Sequence, residues 1–241
     1  MTYENKMRSV IKAISWRFFA TLQTALIVWV ITGEIKLAVS AGVIDVIIKI
    51  ISYFIHERVW NSVKYGRTDR PSFVLWFTGL SGAGKTTIAT EVYHELQKEE
   101  YKVEYLDGDV IRSIFPQTGF TKEERNRHLG RVSYLASTLS KNGISVIAAF
   151  ISPYKESRKF ARSLCENFIE VYLSTPVEEC EKRDVKGLYK KARDGKIKHF
   201  TGINDPYEEP ENPEIVIDTS SKNLFESKKV VIDYLKQKEL I

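Results

Sequence analysis

The chain has 241 residues, with 36 Lys and Arg against 31 Asp and Glu and a formal net charge of +5. That length holds one large domain or a medium domain with an appendage, and the mildly basic balance, without an arginine-rich tract or an aromatic-basic stripe, gives no ground for a nucleic acid partner. Two cysteines, Cys165 and Cys180, without metal-ligand spacing or an even framework, exclude a disulfide scaffold and read as half-buried thiols of a reducing cytosol.

The first sixty-odd residues differ in character from the rest. Residues 16–31 read WRFFATLQTALIVWVI and residues 35–55 read IKLAVSAGVIDVIIKIISYFI, with Thr32-Gly33-Glu34 as a polar turn between them, which predicts a helical hairpin. The first run spans about 24 Å as a helix against a hydrocarbon core of roughly 30 Å, while the second is long enough to cross. Asp45 and Lys49 interrupt the second run four residues apart, on one helix face where they can pair. One reading is a soluble amphipathic pair that packs on the rest of the chain or on another copy.

The other reading is a membrane hairpin, and the flanking charges favour it. Lys6, Arg8, Lys12 and Arg17 precede the first run, Arg58, Lys64, Arg67 and Arg70 follow the second, and the turn offers only Lys36. Both ends are therefore expected on the cytoplasmic side of the membrane, with Trp16, Trp29 and Trp60 near the interfaces. No small-residue cleavage site follows a short apolar core, so a cleaved signal peptide is not expected. Through Ser15-Trp16-Arg17, Gly33, Asp45, Lys49 and residues 53–60 (YFIHERVW), about residues 5 to 62 resemble an uncharacterised family of two-helix membrane domains. His56 beside Glu57 reads as an interfacial residue without a site role.

The strongest chemical signal is Gly79-Leu80-Ser81-Gly82-Ala83-Gly84-Lys85-Thr86, followed by Thr87. It is a complete phosphate-binding P-loop, with the apolar run 73–77 before it and a helical pattern after it. Glycines let backbone N–H groups turn toward phosphates at a helix N-terminus, Lys85 brings charge to the β/γ-phosphates, and Thr86 can hold Mg²⁺. The residues therefore predict binding of ATP or a related nucleoside triphosphate.

From Pro71 onward, runs at 73–77, 103–106, 144–150, 168–173 and 215–217 read as buried parallel strands separated by helices. The expected fold class is α/β, a P-loop NTPase-type doubly wound parallel sheet preceded by the α-helical transmembrane hairpin. The expected domains are 1–65 and 66–241. Ligands gather beyond the carboxyl ends of such strands, which directs attention to Asp107-Gly108-Asp109, Ser152-Pro153 and Thr175-Pro176. A carboxylate at Asp107 can orient Mg²⁺ or take a proton from an attacking hydroxyl. It can equally be a plain helix N-cap, and the motif alone leaves both open.

Residues 71–241 resemble the adenylylsulfate kinase (APS kinase) family. The likeness rests on GLSGAGKTT at 79–87, LDGDVIR at 106–112, GFTKEER at 119–125, FISPY at 150–154 and above all KGLYKKARDGKIKHFTGINDPYEEPENPE at 186–214. The resemblance implies transfer of the γ-phosphoryl group of MgATP to the 3′-hydroxyl of adenosine 5′-phosphosulfate. It implies Lys85 and Asp107 as catalytic groups, with Asp107 the candidate base, and Ser152 beside them, a serine that some members phosphorylate but that direct transfer does not need as a nucleophile. Asp109, Arg112, Phe120, Arg125, Ile151, Ser152, Lys186, Phe200 and Thr201 match positions that contact the adenylylsulfate, and Thr86 is the metal-side hydroxyl. An anionic phosphosulfate calls for Arg and Lys, and an adenine calls for aromatic faces. The family also implies a homodimer.

One position departs from the pattern: His128 stands where many adenylylsulfate kinases have Asn, and it is retained as a substrate contact. The basic run 186–200 reads as a lid over two anionic nucleotides, with Gly187 and Gly195 as hinges. Two other readings fit the same residues, another small-molecule P-loop kinase and a membrane-anchored nucleotide sensor that binds without transfer.

Overall fold

The computed structural model describes residues 6–62, 71–115, 119–184 and 186–241. The chain forms two compact units, Met1–Thr68 and Asp69–Ile241.

In the first unit, helix α1 spans Lys6–Thr32 and α2 spans Ile35–Ser62. Both outrun the apolar stretches, because the Lys- and Arg-rich flanks are themselves good helix formers. Gly33 ends α1 with φ +72° and its N–H donates to the Trp29 carbonyl at 2.8 Å, the left-handed stop that glycine adopts without strain. The seam between the helices is made of small and polar side chains. A Cβ on Gly42 would sit 3.7 Å from Ala25 Cβ and 3.8 Å from Thr21 Cγ2, and Ala38 is buried on the same stripe.

The expected Asp45–Lys49 pair forms at 2.7 Å, and the Thr21 hydroxyl donates to Asp45 across the seam at 3.4 Å. The large apolar residues, Phe18, Leu26, Ile47 and Ile51 among them, point outward and are exposed. Residues Ile35–Ile55 are long and apolar enough to cross a membrane, with a mean hydropathy of 2.0, while the apolar part of α1, Arg17–Thr32, is shorter. Trp29 is about half exposed. The side chains of Lys6, Arg8, Lys12, Trp16, His56 and Trp60, and the whole of Lys64, Arg67 and Arg70, lie outside the described residues.

The second unit runs β1 (Val74–Gly79), α3 (Lys85–Lys98), β2 (Val103–Asp107), α4 (Gly108–Ile114), α5 (Lys122–Lys141), β3 (Ser145–Ala149), α6 (Lys155–Leu164), β4 (Phe168–Leu173), α7 (Val177–Arg183), α8 (Leu188–Arg193), β5 (Ile215–Ile217) and α9 (Leu224–Gln237). The strands make one parallel sheet in the order β2-β3-β1-β4-β5, the doubly wound architecture expected. β1 is central and wholly buried. Alternate residues feed two cores: Phe73, Leu75 and Phe77 join the core that includes Val92 of α3 and Leu235 of α9, while Val74 and Trp76 join the one with Val132 of α5 and Ala161 of α6. That is the period-two alternation of a strand covered on both faces. β1 runs two residues past the apolar run because Thr78 and Gly79 still pair with Tyr172 and Leu173, so the sheet delivers the chain directly into the P-loop.

Candidate active site

The P-loop links β1 to α3. Gly79 has φ +148° and a Cβ there would lie 2.8 Å from the Leu173 carbonyl; Gly82 has φ +77° and a Cβ would lie 2.9 Å from the Cys180 carbonyl. No other residue fits either place. Lys85 opens α3 and is nearly buried. Its ammonium donates to the carbonyls of Gly79 and Leu80 at 2.9 and 2.7 Å, and burial lowers its pKa to about 8, leaving it mostly charged at neutral pH.

A cavity of about 950 Å³ opens from the P-loop, beyond the carboxyl ends of β1, β2 and β3. Ser81, Gly82, Gly84, Lys85, Thr86, Thr87, Asp107, Asp109, Arg112, Phe120, Arg125, His128, Ile151, Ser152, Lys186, Phe200 and Thr201 all line it. The sheet order thus gathers residues from five separate sequence motifs around one space. Gly79, Leu80 and Ala83 do not line it: Gly79 is the last residue of β1, Ala83 is buried in the core and Leu80 packs against that core.

Asp107 resolves the two readings of its motif by doing one of them and remaining available for the other. Its Oδ1 caps α4, accepting from the amides of Asp109 and Val110 at 2.9 and 3.2 Å, while the residue also lines the cavity, as Thr86 does. Asp109 and Lys186 form an exposed ion pair. Arg112 and Arg125 stand with their guanidiniums 4.7 and 5.5 Å from the centre of the Phe120 ring, a cation–π cluster with its aromatic half exposed. Arg125 also donates to the Phe120 carbonyl and, at 2.6 Å, to that of His199.

His128 is 2 % exposed and both its ring nitrogens lack a hydrogen-bond partner, as does the buried Thr201 hydroxyl. Phe115 and Phe150 meet the imidazole edge-on at 6.1 and 6.0 Å. Burial, reinforced by Arg112 and Arg131, lowers its pKa to about 4, so it is neutral at pH 7. Buried polar atoms are normally paired, and orphans on a cavity wall mark places where a ligand supplies the partner. Phe200 is buried edge-on against Tyr189, 4.9 Å between centroids, which makes it more wall than open platform.

Ser152 lines the same cavity as Lys85 and Asp107 with its hydroxyl already engaged. Its hydroxyl is buried, receives the Trp76 indole N–H at 3.1 Å and donates to Thr78 at 2.9 Å. The backbone there is left-handed, φ +38°, and the buried Arg158 guanidinium holds its carbonyl at 2.6 Å. The hydroxyl thus takes part in shaping the cavity wall.

The basic segment is anchored at one end. Asp184 caps α8 through the amides of Leu188, Tyr189 and Lys190, and the Tyr189 hydroxyl donates to the Ser81 carbonyl at 2.9 Å. Gly187 and Gly195 have φ of +63° and +72°. Sequence reasoning missed Arg183 and Thr219, which meet at the P-loop: Arg183 donates to the Thr219 hydroxyl at 2.7 Å and to the Gly82 carbonyl at 3.3 Å, and the Thr219 hydroxyl donates to the Ala83 carbonyl at 3.0 Å. Thr219 follows β5 at a carboxyl end, the signal that could have found it.

Among the described residues no three His, Cys, Asp or Glu side chains converge as a metal cage. The Thr86 hydroxyl and the Asp107 carboxylate, both on the cavity wall, are hard oxygen donors of the kind that suits Mg²⁺ held chiefly by phosphates and water.

A P-loop at the end of a central parallel strand, a carboxylate facing it and a cationic, aromatic second half define an ATP-dependent phosphotransferase with a small-molecule acceptor. The adenylylsulphate kinase family matches residues 71–218, and residues 10–61 match a family described as predicted membrane protein (DUF2061). An adenylyl-sulfate kinase of Halothermothrix orenii is 50 % identical over 174 residues, covering 72 % of this chain and 94 % of that protein. The structure of the Mycobacterium tuberculosis APS kinase in complex with AMPPNP and APS superposes with a TM-score of 0.66 at 39 % identity, over 69 % of this chain and 98 % of that one. A hexameric APS kinase from Thiobacillus denitrificans matches at TM-score 0.56 and 27 % identity, over 74 % of this chain and 31 % of that one. The chain belongs to the adenylylsulfate kinase family and is an enzyme of that type.

Proposed function

We propose that the chain transfers the γ-phosphoryl group of MgATP to the 3′-hydroxyl of adenosine 5′-phosphosulfate, giving 3′-phosphoadenosine 5′-phosphosulfate and ADP. The observation that carries this reading is the single cavity in which the P-loop, Asp107 and the Arg112–Phe120–Arg125 cluster meet. Lys85 leaves the carbonyls of Gly79 and Leu80 for the transferring phosphate, whose charge restores full protonation. Asp107, already oriented by two amides, accepts the proton of the attacking hydroxyl. Arg112 and Arg125 receive the phosphosulfate, with Lys186 released from Asp109 as the acceptor enters, and His128 and Thr201 offer neutral polar atoms to it. Ile151 and Phe200 supply apolar wall. Mg²⁺, held on the Thr86 side by the nucleotide's own oxygens, would neutralise charge on the phosphates. Phosphoryl transfer needs positioning and charge more than covalent chemistry, so Ser152 acts as frame.

The hairpin is proposed to tether the kinase to the cytoplasmic membrane with both ends facing the cytoplasm, and the boundary is placed near residue 65. The small-residue seam with large apolar side chains outside supports insertion, since membrane helices pack through small residues and give bulky ones to lipid. A homodimer is the proposed assembly, and the hexameric relative supports self-association of this fold without fixing its number.

The test is product analysis: enzyme, γ-labelled ATP and adenosine 5′-phosphosulfate should place the label on the 3′-oxygen. Labelling of a different hydroxyl acceptor, with adenosine 5′-phosphosulfate inert, would favour another small-molecule kinase.

A further inference from the structure

One hydroxyl beside the site is used by none of these steps. Tyr105 precedes Asp107 by two residues on β2, so both side chains leave the same face of the strand, the face that packs on α3. Its phenol donates to Asp107 Oδ2 at 3.3 Å, while the amides of Asp109 and Val110 hold only Oδ1. Thr86 and Thr90 lie one turn apart on α3, near the phenol. Tyr93 continues that helical stripe and packs on the Tyr105 ring with centroids 5.9 Å apart. Burial and the adjacent Asp107 raise the phenol's pKa to about 12, so it keeps its proton. Tyr105 does not line the cavity and touches no reacting atom.

We propose that Tyr105 is a positioning residue whose hydroxyl sets the plane of the Asp107 carboxylate, fixing the candidate base in one arrangement before nucleotide arrives. A carboxylate held through one oxygen still turns about its Cβ–Cγ bond, a broad torsion, and a bond to the second oxygen sets its plane. A phenol donates its one proton, which is what this place asks: a donor toward an acceptor-only carboxylate oxygen. Phenylalanine would fill the same space against Tyr93 and supply no donor. Misplacement of a reacting group by a fraction of an ångström is enough to slow turnover.

The inference rests on Asp107 being the base, and the test separates the two. In the full-length enzyme, Tyr105→Phe should lower kcat about tenfold, leave KM for ATP within about twofold, and leave thermal unfolding unchanged. Calorimetric titration should show the preference for MgATP over metal-free ATP reduced several-fold in the same variant. A Tyr105→Phe enzyme with wild-type kcat and wild-type MgATP preference, beside an inactive Asp107→Asn enzyme, overturns the role of Tyr105 alone. An Asp107→Asn enzyme of full activity removes the base assignment and this inference with it. Tyr105→Leu separates packing from hydroxyl: equal loss of kcat in Phe and Leu variants supports the hydroxyl, while loss in Leu alone assigns Tyr105 to packing.

Discussion

The Arg125 guanidinium donates to the His199 carbonyl at 2.6 Å, joining the start of α5 to the end of the basic segment. The same side chain stacks on Phe120 and grips its carbonyl at 2.7 Å. One arginine therefore holds the acceptor half of the cavity together while carrying charge for the acceptor. A lysine cannot make both contacts, because it lacks the planar fork. Arg125→Lys should raise the acceptor KM by ten- to a hundredfold with the KM for ATP nearly unchanged, measured by initial rates with each substrate varied.

Lys85 gives a pH signature. Its pKa is lowered to about 8 by burial, below the 10.4 or so of a free lysine, so the empty site loses its cation as pH rises through about 8. Bound phosphate favours the charged form and moves the loss upward. The profile of kcat/KM for ATP, which reports the free enzyme, should therefore fall above about pH 8, while kcat should hold to a higher pH. Superimposable alkaline limbs would contradict the account.

His128 makes the opposite contribution at low pH. Its pKa is lowered in the fold to about 4 from 6.5, first by burial and then by Arg112 and Arg131. The unfolded chain thus binds the extra proton first, and stability is lost as pH falls from about 6.5 toward 4. The loss attributable to this one group is about 3 kcal/mol. Denaturant titrations of His128→Asn should show a flatter stability profile over that window. The same substitution should leave kcat near wild type, since asparagine can still bond the acceptor, whereas His128→Ala should raise the acceptor KM.

The hairpin makes a prediction about pairing. An unpaired charge near mid-span costs about 2.5–3.5 kcal/mol on insertion scales, and Asp45 and Lys49 cover each other at 2.7 Å. Asp45→Leu should reduce the fraction of chain resisting carbonate extraction, and Asp45→Leu with Lys49→Leu should restore it. Equal extraction of the single and double variants would contradict a membrane position for the pair.

The sheet was legible because each strand is rich in apolar residues and lies between breakers, even where Glu104 and Glu170 interrupt β2 and β4, and the P-loop because its spacing is dictated by phosphate geometry. Asp107 was ambiguous in sequence for a physical reason, since it caps a helix with one oxygen and presents a carboxylate to the cavity. Other features were hidden because they depend on tertiary neighbours. Nothing local to Ser152 shows that Trp76 and Thr78, more than seventy residues earlier, take up its hydroxyl. Arg183 and Thr219 are isolated residues that only the adjacency of β4 and β5 brings to the P-loop. Tyr105 reads as an ordinary strand residue until α3 is laid over it.

The most direct measurement is acceptor-dependent ADP release by the full-length enzyme in nanodiscs, with MgATP fixed and adenosine 5′-phosphosulfate varied. The account predicts saturable turnover that falls by at least a hundredfold in Lys85→Ala and in Asp107→Ala. Tight binding of both nucleotides without acceptor-dependent ADP release would contradict it and leave a membrane-tethered nucleotide sensor as the reading.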